Sequence, residues 1–434
     1  MDNVVGLKCT ICGEIYAVDE VDYVCPNHGD DGILDVLYDY EAVGEMIDPE
    51  GLSRDTEASM WRYLPLLPVD PKTARVVAEG NTISSVGATP FYPAPRLAAE
   101  LGLEHLWIKD DSRLPTASLK DRASALAVVK TREKGYEIVT TASTGNAAAA
   151  LAGMCAAVNQ KNVIFVPRSA PEAKIAQLLA YGSTVLLVDG TYDQAFELCL
   201  DVAKAFDWYN RNTAYNPYMS EGKKTVIFEI CEQLGSMLQG AGRWQAPDAV
   251  FVPVGDGCII GGVHKGLRDA RELGWIDRMP RIYGVQAEGS APLVKAWEEG
   301  KDALDIEPVE ADSVADSIVA GLPRDRIKAL RAVRATGGAY ASVSDQEILS
   351  AIPALAQGCG VFAEPAAAAA YAGLVHALDR GWVNRDEHVV VLSTGSGLKD
   401  VASVMKAVRR KPAVVEPSLA HVKQALDLNG DVEP

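Results

Sequence analysis

Residues 137–167 read E-I-V-T-T-A-S-T-G-N-A-A-A-A-L-A-G-M-C-A-A-V-N-Q-K-N-V-I-F-V-P. This stretch decides the fold. Glu137-Ile138-Val139-Thr140-Thr141 is short and β-branched, which predicts a strand. Asn146–Val158 is rich in alanine and predicts a helix. Asn162–Val166 is almost wholly apolar, as expected of a strand covered on both faces. A strand, a turn, a helix and a second strand in so short a span call for a parallel pair with a crossover helix.

The rhythm extends in both directions. Upstream, Leu106-Trp107-Ile108-Lys109 predicts a strand and Leu119–Glu133 a helix closed by Lys134-Gly135. Downstream come a helix over Glu172–Ala180, a strand over Thr184–Val188 and a helix over Tyr192–Phe206. After a polar, aromatic connection, Trp208–Ser220, the pattern gives helix Glu221–Leu234, strand Ala249–Val254, helix Ile259–Leu273 and strand Ile282–Gln286. Ser344-Asp345-Gln346-Glu347 is a capping box that starts a helix, which Pro353 should kink or end. Glu364–Arg380 contains an Ala-rich helix and His388–Leu392 the last strand. The alternation predicts an α/β protein with mainly parallel sheets and helices on their faces.

The 434 residues suggest two or three domains, and 48% apolar residues suffice for sizeable cores. A net charge of −18 argues against a nucleic-acid groove, which needs clustered Lys and Arg. No run of apolar residues reaches the ~18 of a membrane span. The N-terminus lacks a basic region followed by an apolar one, so a cytoplasmic protein is expected.

The start of the chain is a unit of its own. Cys9 and Cys12 precede Cys25 and His28 in a C-x2-C…C-x2-H pattern. Three thiolates and an imidazole on two short knuckles suit structural zinc with no open position. The segment between them, Glu14–Val24, alternates like a short hairpin. Farther on, Pro65, Pro68 and Pro71 break any long element, and Trp61, Tyr63, Leu64, Leu66 and Leu67 form a packing segment.

Pro115–Ala123, P-T-A-S-L-K-D-R-A, places Lys120 at a helix entry among Thr116, Ser118, Asp121 and Arg122. A partly desolvated lysine can lose its proton and attack a carbonyl carbon. A Lys-Asp pair alone is more often an ordinary surface feature. Three glycine-bearing turns at strand ends add weight, because ligands of open parallel sheets bind there. Ser143-Thr144-Gly145-Asn146 opens a helix whose N–H groups could hold a carboxylate. Gly255-Asp256-Gly257-Cys258 suits a phosphate cradle, although the Asp256 carboxylate would repel a phosphate. Ser393-Thr394-Gly395-Ser396-Gly397 offers a hydroxyl to a ring nitrogen.

These motifs, with E-P-A-A-A-A (364–369) and T-G-S-G-L-K-D (394–400), resemble threonine synthase and its relatives, which are fold-type II pyridoxal-phosphate enzymes. The likeness runs from about Leu7 to Asp400 and includes a zinc-ribbon-like start. It implies two open, mainly parallel-sheet domains plus that small N-terminal unit. The divisions expected are a zinc-ribbon-like unit (1–45), the first part of a large domain (46–115), a small domain carrying the lysine (116–224), the rest of the large domain (225–400) and a C-terminal helix and arm (401–434).

By the same resemblance, Lys120 would carry pyridoxal 5′-phosphate as a Schiff base and act as the proton-transfer base. Asn146 would contact the 3′-oxygen, and the main chain of Gly255, Asp256, Gly257 and Cys258 the phosphate. Thr394 would meet the ring nitrogen, and Ser143, Thr144 and Gly145 the substrate carboxylate. The partner implied is a small amino acid rather than nucleic acid or membrane, and a homo-oligomer is compatible.

The sequence departs from threonine synthase where that enzyme holds the phosphate of phosphohomoserine. Ala147 replaces a Thr, Thr213-Ala214 replaces Asn-Ser, and Met219 replaces an Arg. Asp256 stands for an Asn in the cofactor-phosphate loop. Losing an Arg weakens a dianion site, since charge-assisted bonds are the strong ones. Two reactions therefore stay open. One is threonine synthesis from O-phosphohomoserine and water. The other is β-elimination or β-replacement, as in serine or threonine dehydratase, diaminopropionate ammonia-lyase or cysteate synthase.

Overall fold

The computed structural model describes residues 3–426 apart from 144, 169, 171 and 409–411. The N-terminal sheet is antiparallel, with β1 (Val4–Cys9), β2 (Ile15–Tyr16) and β3 (Leu34–Tyr38) in the order β2-β1-β3. The hairpin expected within residues 14–24 does not form. Within that segment Ile15–Tyr16 pairs with Leu7 and Lys8 of β1, and Val24 makes a single bridge to Ile33 instead of pairing back. The reason is local: the Glu20 carboxylate accepts the Ala17 N–H at 3.0 Å and closes a turn in place of a return strand.

The remaining strands follow in order. β4 (Phe91–Pro93) and β5 (His105–Asp110) belong to a large sheet. The chain then leaves it to build β6 (Ile138–Ala142), β7 (Lys161–Pro167), β8 (Thr184–Val188) and β9 (Tyr209–Asn210). These make a parallel sheet ordered β8-β7-β6-β9. The chain returns with β10 (Ala249–Pro253), β11 (Arg281–Ala287), β12 (Tyr340–Val343) and β13 (His388–Ser393). The large sheet is thus β12-β11-β10-β13-β5-β4, parallel except for β4.

Each parallel sheet reverses its winding once. In the large sheet β11 and β12 are laid to one side of β10 and β13 to the other. In the small sheet β7 and β8 lie to one side of β6 and β9 to the other. Such reversals open crevices at the carboxyl ends of the strands, where ligands bind. The turn after β6, the loop after β10 and the turn after β13 all lie at these two reversals.

Helix α1 (Lys120–Glu133) runs between the sheets and is buried from Asp121 to Thr131. Its small residues admit close neighbours, α2 (Asn146–Ala157) and α3 (Tyr218–Lys223). A Cβ on Gly222 of α3 would lie 2.9 Å from the Ala123 Cα, so this crossing requires glycine. The helix expected over Glu221–Leu234 is two, α3 and α4 (Thr225–Gln239), joined at Lys224. Further on lie α5 (Cys258–Glu272), α6 (Arg326–Ala335), α7 (Asp345–Cys359) and α8 (Pro365–Asp379). Of the kink or end expected at Pro353, the end does not occur: α7 continues to Cys359. Ile348, Ile352 and Leu355 are buried in the core that α8 shares, and this packing outweighs one missing N–H.

The N-terminal unit is fastened to α6. Arg326 pairs with Asp31 at 2.6 Å, and Lys328 meets Asp35 at 2.9 Å and donates to the Leu34 carbonyl at 2.8 Å.

Candidate active site

The strand-end turns converge on a cavity of about 420 Å³ between the two parallel sheets. Lys120, Ser143, Gly145, Asn146 and residues 255–258 all line it. The sequence separates these residues by more than a hundred positions, and the two winding reversals bring them together. Thr144 lies outside the described residues. Thr394 sits one residue past β13 and accepts the Leu119 N–H at 2.9 Å, which fixes it beside the start of α1. It is buried and is not among the residues lining this cavity.

Lys120 forms no ion pair or hydrogen bond among the described residues. Burial is the main force on its ammonium, and the nearby cations Lys223 and Arg211 act in the same direction. Glu364 opposes them, and the balance brings Lys120 down to about 8. About a tenth of its amine is therefore free at pH 7, far more than for an ordinary lysine, which favours its use as a nucleophile.

Asp121 and Arg122, its neighbours in sequence, make their bonds elsewhere. Asp121 accepts the Thr116 N–H at 2.6 Å and the Thr116 hydroxyl at 2.5 Å, and burial raises its carboxyl to about 7. Arg122 points into a separate buried network described below.

Asn146 is anchored at the entry of α2. Its Nδ2 donates to both Glu364 carboxylate oxygens at 2.9 Å. Glu364 is itself buried, which raises its carboxyl against the pull of Asn146 and Lys120. Glu364 was legible only as part of the E-P-A-A-A-A motif.

The loop after β10 is built for close approach. A Cβ on Gly255 would lie 2.9 Å from the Ile318 Cα, and Gly257 has φ +94° with its Cβ position 2.8 Å from the Ala329 Cβ. Cys258 then begins a helix that directs free N–H groups outward. The Asp256 difficulty is eased by burial, which raises its carboxyl and favours the uncharged form. A glycine cradle at a helix start and an unpartnered lysine with lowered proton affinity fit pyridoxal phosphate.

Two wall residues were missed from the sequence. Arg211 follows β9 directly and Lys223 ends α3; both line the cavity. The signal was weak, because β9 has two residues and no periodicity.

A second cluster lies in the N-terminal unit. The ligand atoms of Cys9, Cys12, Cys25 and His28 all fall within 4.8 Å of one another. Cys12 and Cys25 sulfurs are 3.9 Å apart, and His28 Nδ1 is 3.5 Å from the Cys25 sulfur and 3.9 Å from that of Cys9. A tetrahedron with ~2.3 Å Zn–S bonds has edges of about 3.8 Å, so the cluster could hold zinc.

Two parallel sheets facing each other across a lysine-bearing cleft define a fold-type II pyridoxal-phosphate enzyme, a lyase. Residues 83–395 match the family described as "Pyridoxal-phosphate dependent enzyme". The chain is 37% identical over 422 residues to threonine synthase of Methanocaldococcus jannaschii, covering 96% of this chain and 98% of that one. It is 39% identical to threonine synthase of Methanosarcina acetivorans, covering 97% and 98%. The chain therefore belongs to the pyridoxal-phosphate-dependent enzymes and, within them, to the threonine synthase family. Among solved structures, diaminopropionate ammonia lyase from Escherichia coli is similar in fold, with a TM-score of 0.64 at 18% identity over 80% of this chain and 93% of that one.

Proposed function

We propose that this chain is a threonine synthase, converting O-phosphohomoserine and water to threonine and phosphate. The observation that carries the reading is its end-to-end likeness to threonine synthases, N-terminal unit included. In the reaction the bond from the γ-carbon to the phosphate oxygen breaks and phosphate leaves with the electron pair. Water then adds its oxygen at the β-carbon.

Pyridoxal phosphate, when bound, supplies the electron sink that lets protons leave the substrate's carbon atoms. The remaining tasks fall to this chain. Lys120 would hold the cofactor through Nζ and would move protons at the substrate's α- and β-carbons. Its lowered proton affinity suits both uses. Residues 255–258 would hold the cofactor phosphate through main-chain N–H groups. Asn146, held by Glu364, would contact the 3′-oxygen, and Thr394, fixed beside the start of α1, would serve the ring nitrogen. Ser143, Thr144 and Gly145 take the substrate carboxylate at the start of α2. Cys9, Cys12, Cys25 and His28 hold a structural zinc that stabilises residues 4–38.

A cytoplasmic setting is part of the proposal. The eight cysteines form no disulfide among the described residues, in keeping with a reducing compartment. No helix of the described residues is long and apolar enough to cross a membrane.

The test has two arms. Borohydride treatment of the yellow holoenzyme should fix the cofactor on the peptide carrying Lys120. A substrate panel should then give phosphate release from O-phosphohomoserine well above keto-acid release from serine, threonine or diaminopropionate. Keto acid as the dominant product would move the chain to the β-eliminating enzymes.

A further inference from the structure

We propose that Arg211 and Lys223, with the Thr213 hydroxyl between them, form the seat for the phosphate monoester of the substrate. This rests on the threonine synthase reading and names residues for a task that Ala147, Ala214 and Met219 cannot perform.

The first ground is charge. Both side chains are fully buried, yet neither has a carboxylate within ion-pairing distance among the described residues. Every other buried lysine or arginine described has one: Lys109, Arg122, Lys130, Lys224, Lys265, Arg326 and Lys328. A buried cation without an anion costs several kcal/mol, a cost that a bound anion offsets. Burial pushes the Arg211 guanidinium down to about 10.

The second ground is geometry. Arg211 Nη1 donates to Thr213 Oγ1 at 2.8 Å and Nε to Ser124 Oγ at 3.2 Å, which fixes the plane of the guanidinium. Its Nη2 is buried and has no hydrogen-bond partner. Lys223 Nζ reaches the same Thr213 hydroxyl at 3.5 Å. Two cations and a hydroxyl facing one space match a phosphate dianion, for which arginine is the preferred partner.

The third ground is the division of the cavity wall. The loop after β10 already provides N–H groups for one phosphate. Arg324, the other cation on the wall, donates to Glu197 at 2.9 Å and lies over the Phe196 ring. Arg211 and Lys223 come instead from the residue after β9 and the end of α3, at the winding reversal of the small sheet. The cavity thus offers two separate anion sites, and the substrate of this reaction brings the second anion. A dianion seated there also counters the two charges that hold Lys120 down, so substrate arrival makes the Lys120 amine a stronger base.

The experiment compares wild-type holoenzyme with Arg211→Gln, Lys223→Gln and the milder Thr213→Val. The expected result is a KM for O-phosphohomoserine and a Kd for inorganic phosphate, by calorimetry, each raised about 10- to 100-fold by either charge substitution. Thr213→Val should raise both severalfold. Cofactor affinity, from titration of the apoenzyme at a pH well above the Lys120 midpoint, and the spectral change on adding threonine should stay at wild-type values. Unchanged KM and Kd would overturn the proposal. So would a parallel loss of cofactor affinity, which would assign the pair to the cofactor's own phosphate. If the wild type releases no phosphate from O-phosphohomoserine, the reading as a threonine synthase falls. The calorimetric arm then still decides on the anion seat, and its loss in Arg211→Gln supports it.

Discussion

Two assemblies of buried charge lie beside α1, and they are built on opposite plans. In the first, Arg122 donates to Asp111 at 2.7 and 2.9 Å and to Glu229 at 2.6 and 2.9 Å. Lys109 donates to Glu229 at 2.6 Å, and the Thr89 hydroxyl to Asp111 at 2.6 Å. Two cations meet two carboxylates, so the set closes on itself. In the second, Lys120, Arg211 and Lys223 crowd one cavity, and none of the three has a carboxylate at ion-pairing distance among the described residues; Glu364 is the main group opposing the cations at Lys120. A closed set holds the fold together. An open set requires a ligand. Burial alone does not separate the two kinds, because both are buried; the presence or absence of internal partners does.

The comparison breaks most readily at its two central residues. Lys120→Ala should reduce turnover by about 10³-fold or more and abolish borohydride fixation of the cofactor, with little change in thermal unfolding. Glu229→Gln should do the reverse. It leaves Lys109 and Arg122 buried with one carboxylate fewer, a loss of about 3–5 kcal/mol on denaturant unfolding. That substitution also has a pH signature. Burial raises the Glu229 carboxyl, but Arg122 and Lys109 outweigh it and bring it to about 2. Its contribution to stability is therefore present above the unfolded value of about 4.3 and is lost as pH falls through about 2. In Glu229→Gln, stability should vary less with pH across that window.

A smaller effect sharpens the account of the open set. Lys223 lowers the proton affinity of Lys120 and Glu364 raises it. Lys223→Gln should move the midpoint for cofactor uptake by the apoenzyme to higher pH, and Glu364→Gln to lower pH. Shifts of the same sign in both variants would refute this electrostatic balance. The smallest effect on turnover belongs to the distant cluster. Cys9→Ser should release zinc and expose residues 4–38 to proteolysis, because metal binding and folding are coupled there. Turnover per bound cofactor should stay within about twofold, since no cluster residue lines the cavity.

Much of this was legible in the sequence. The alternation of β-branched runs and Ala-rich helices reflects burial on both sheet faces, so strands such as Lys161–Pro167 stood out. The strand-end glycines did too, because close backbone approach demands them. Arg122 turns away from Lys120 for a geometric reason. Residues two apart on a helix point about 200° apart, so Lys120 and Arg122 cannot face one ligand. Arg211 and Lys223 were hidden because their meaning lies in what is missing beside them, and a sequence does not display absent partners. At Pro353 the helix continues because tertiary packing outweighs one missing N–H.

The most direct measurement is the yield of both products from O-phosphohomoserine by the wild-type holoenzyme. The account predicts phosphate and threonine in equal amounts, with a KM that rises in Arg211→Gln. Phosphate without threonine, or neither product alongside rapid keto-acid formation from another amino acid, would contradict it.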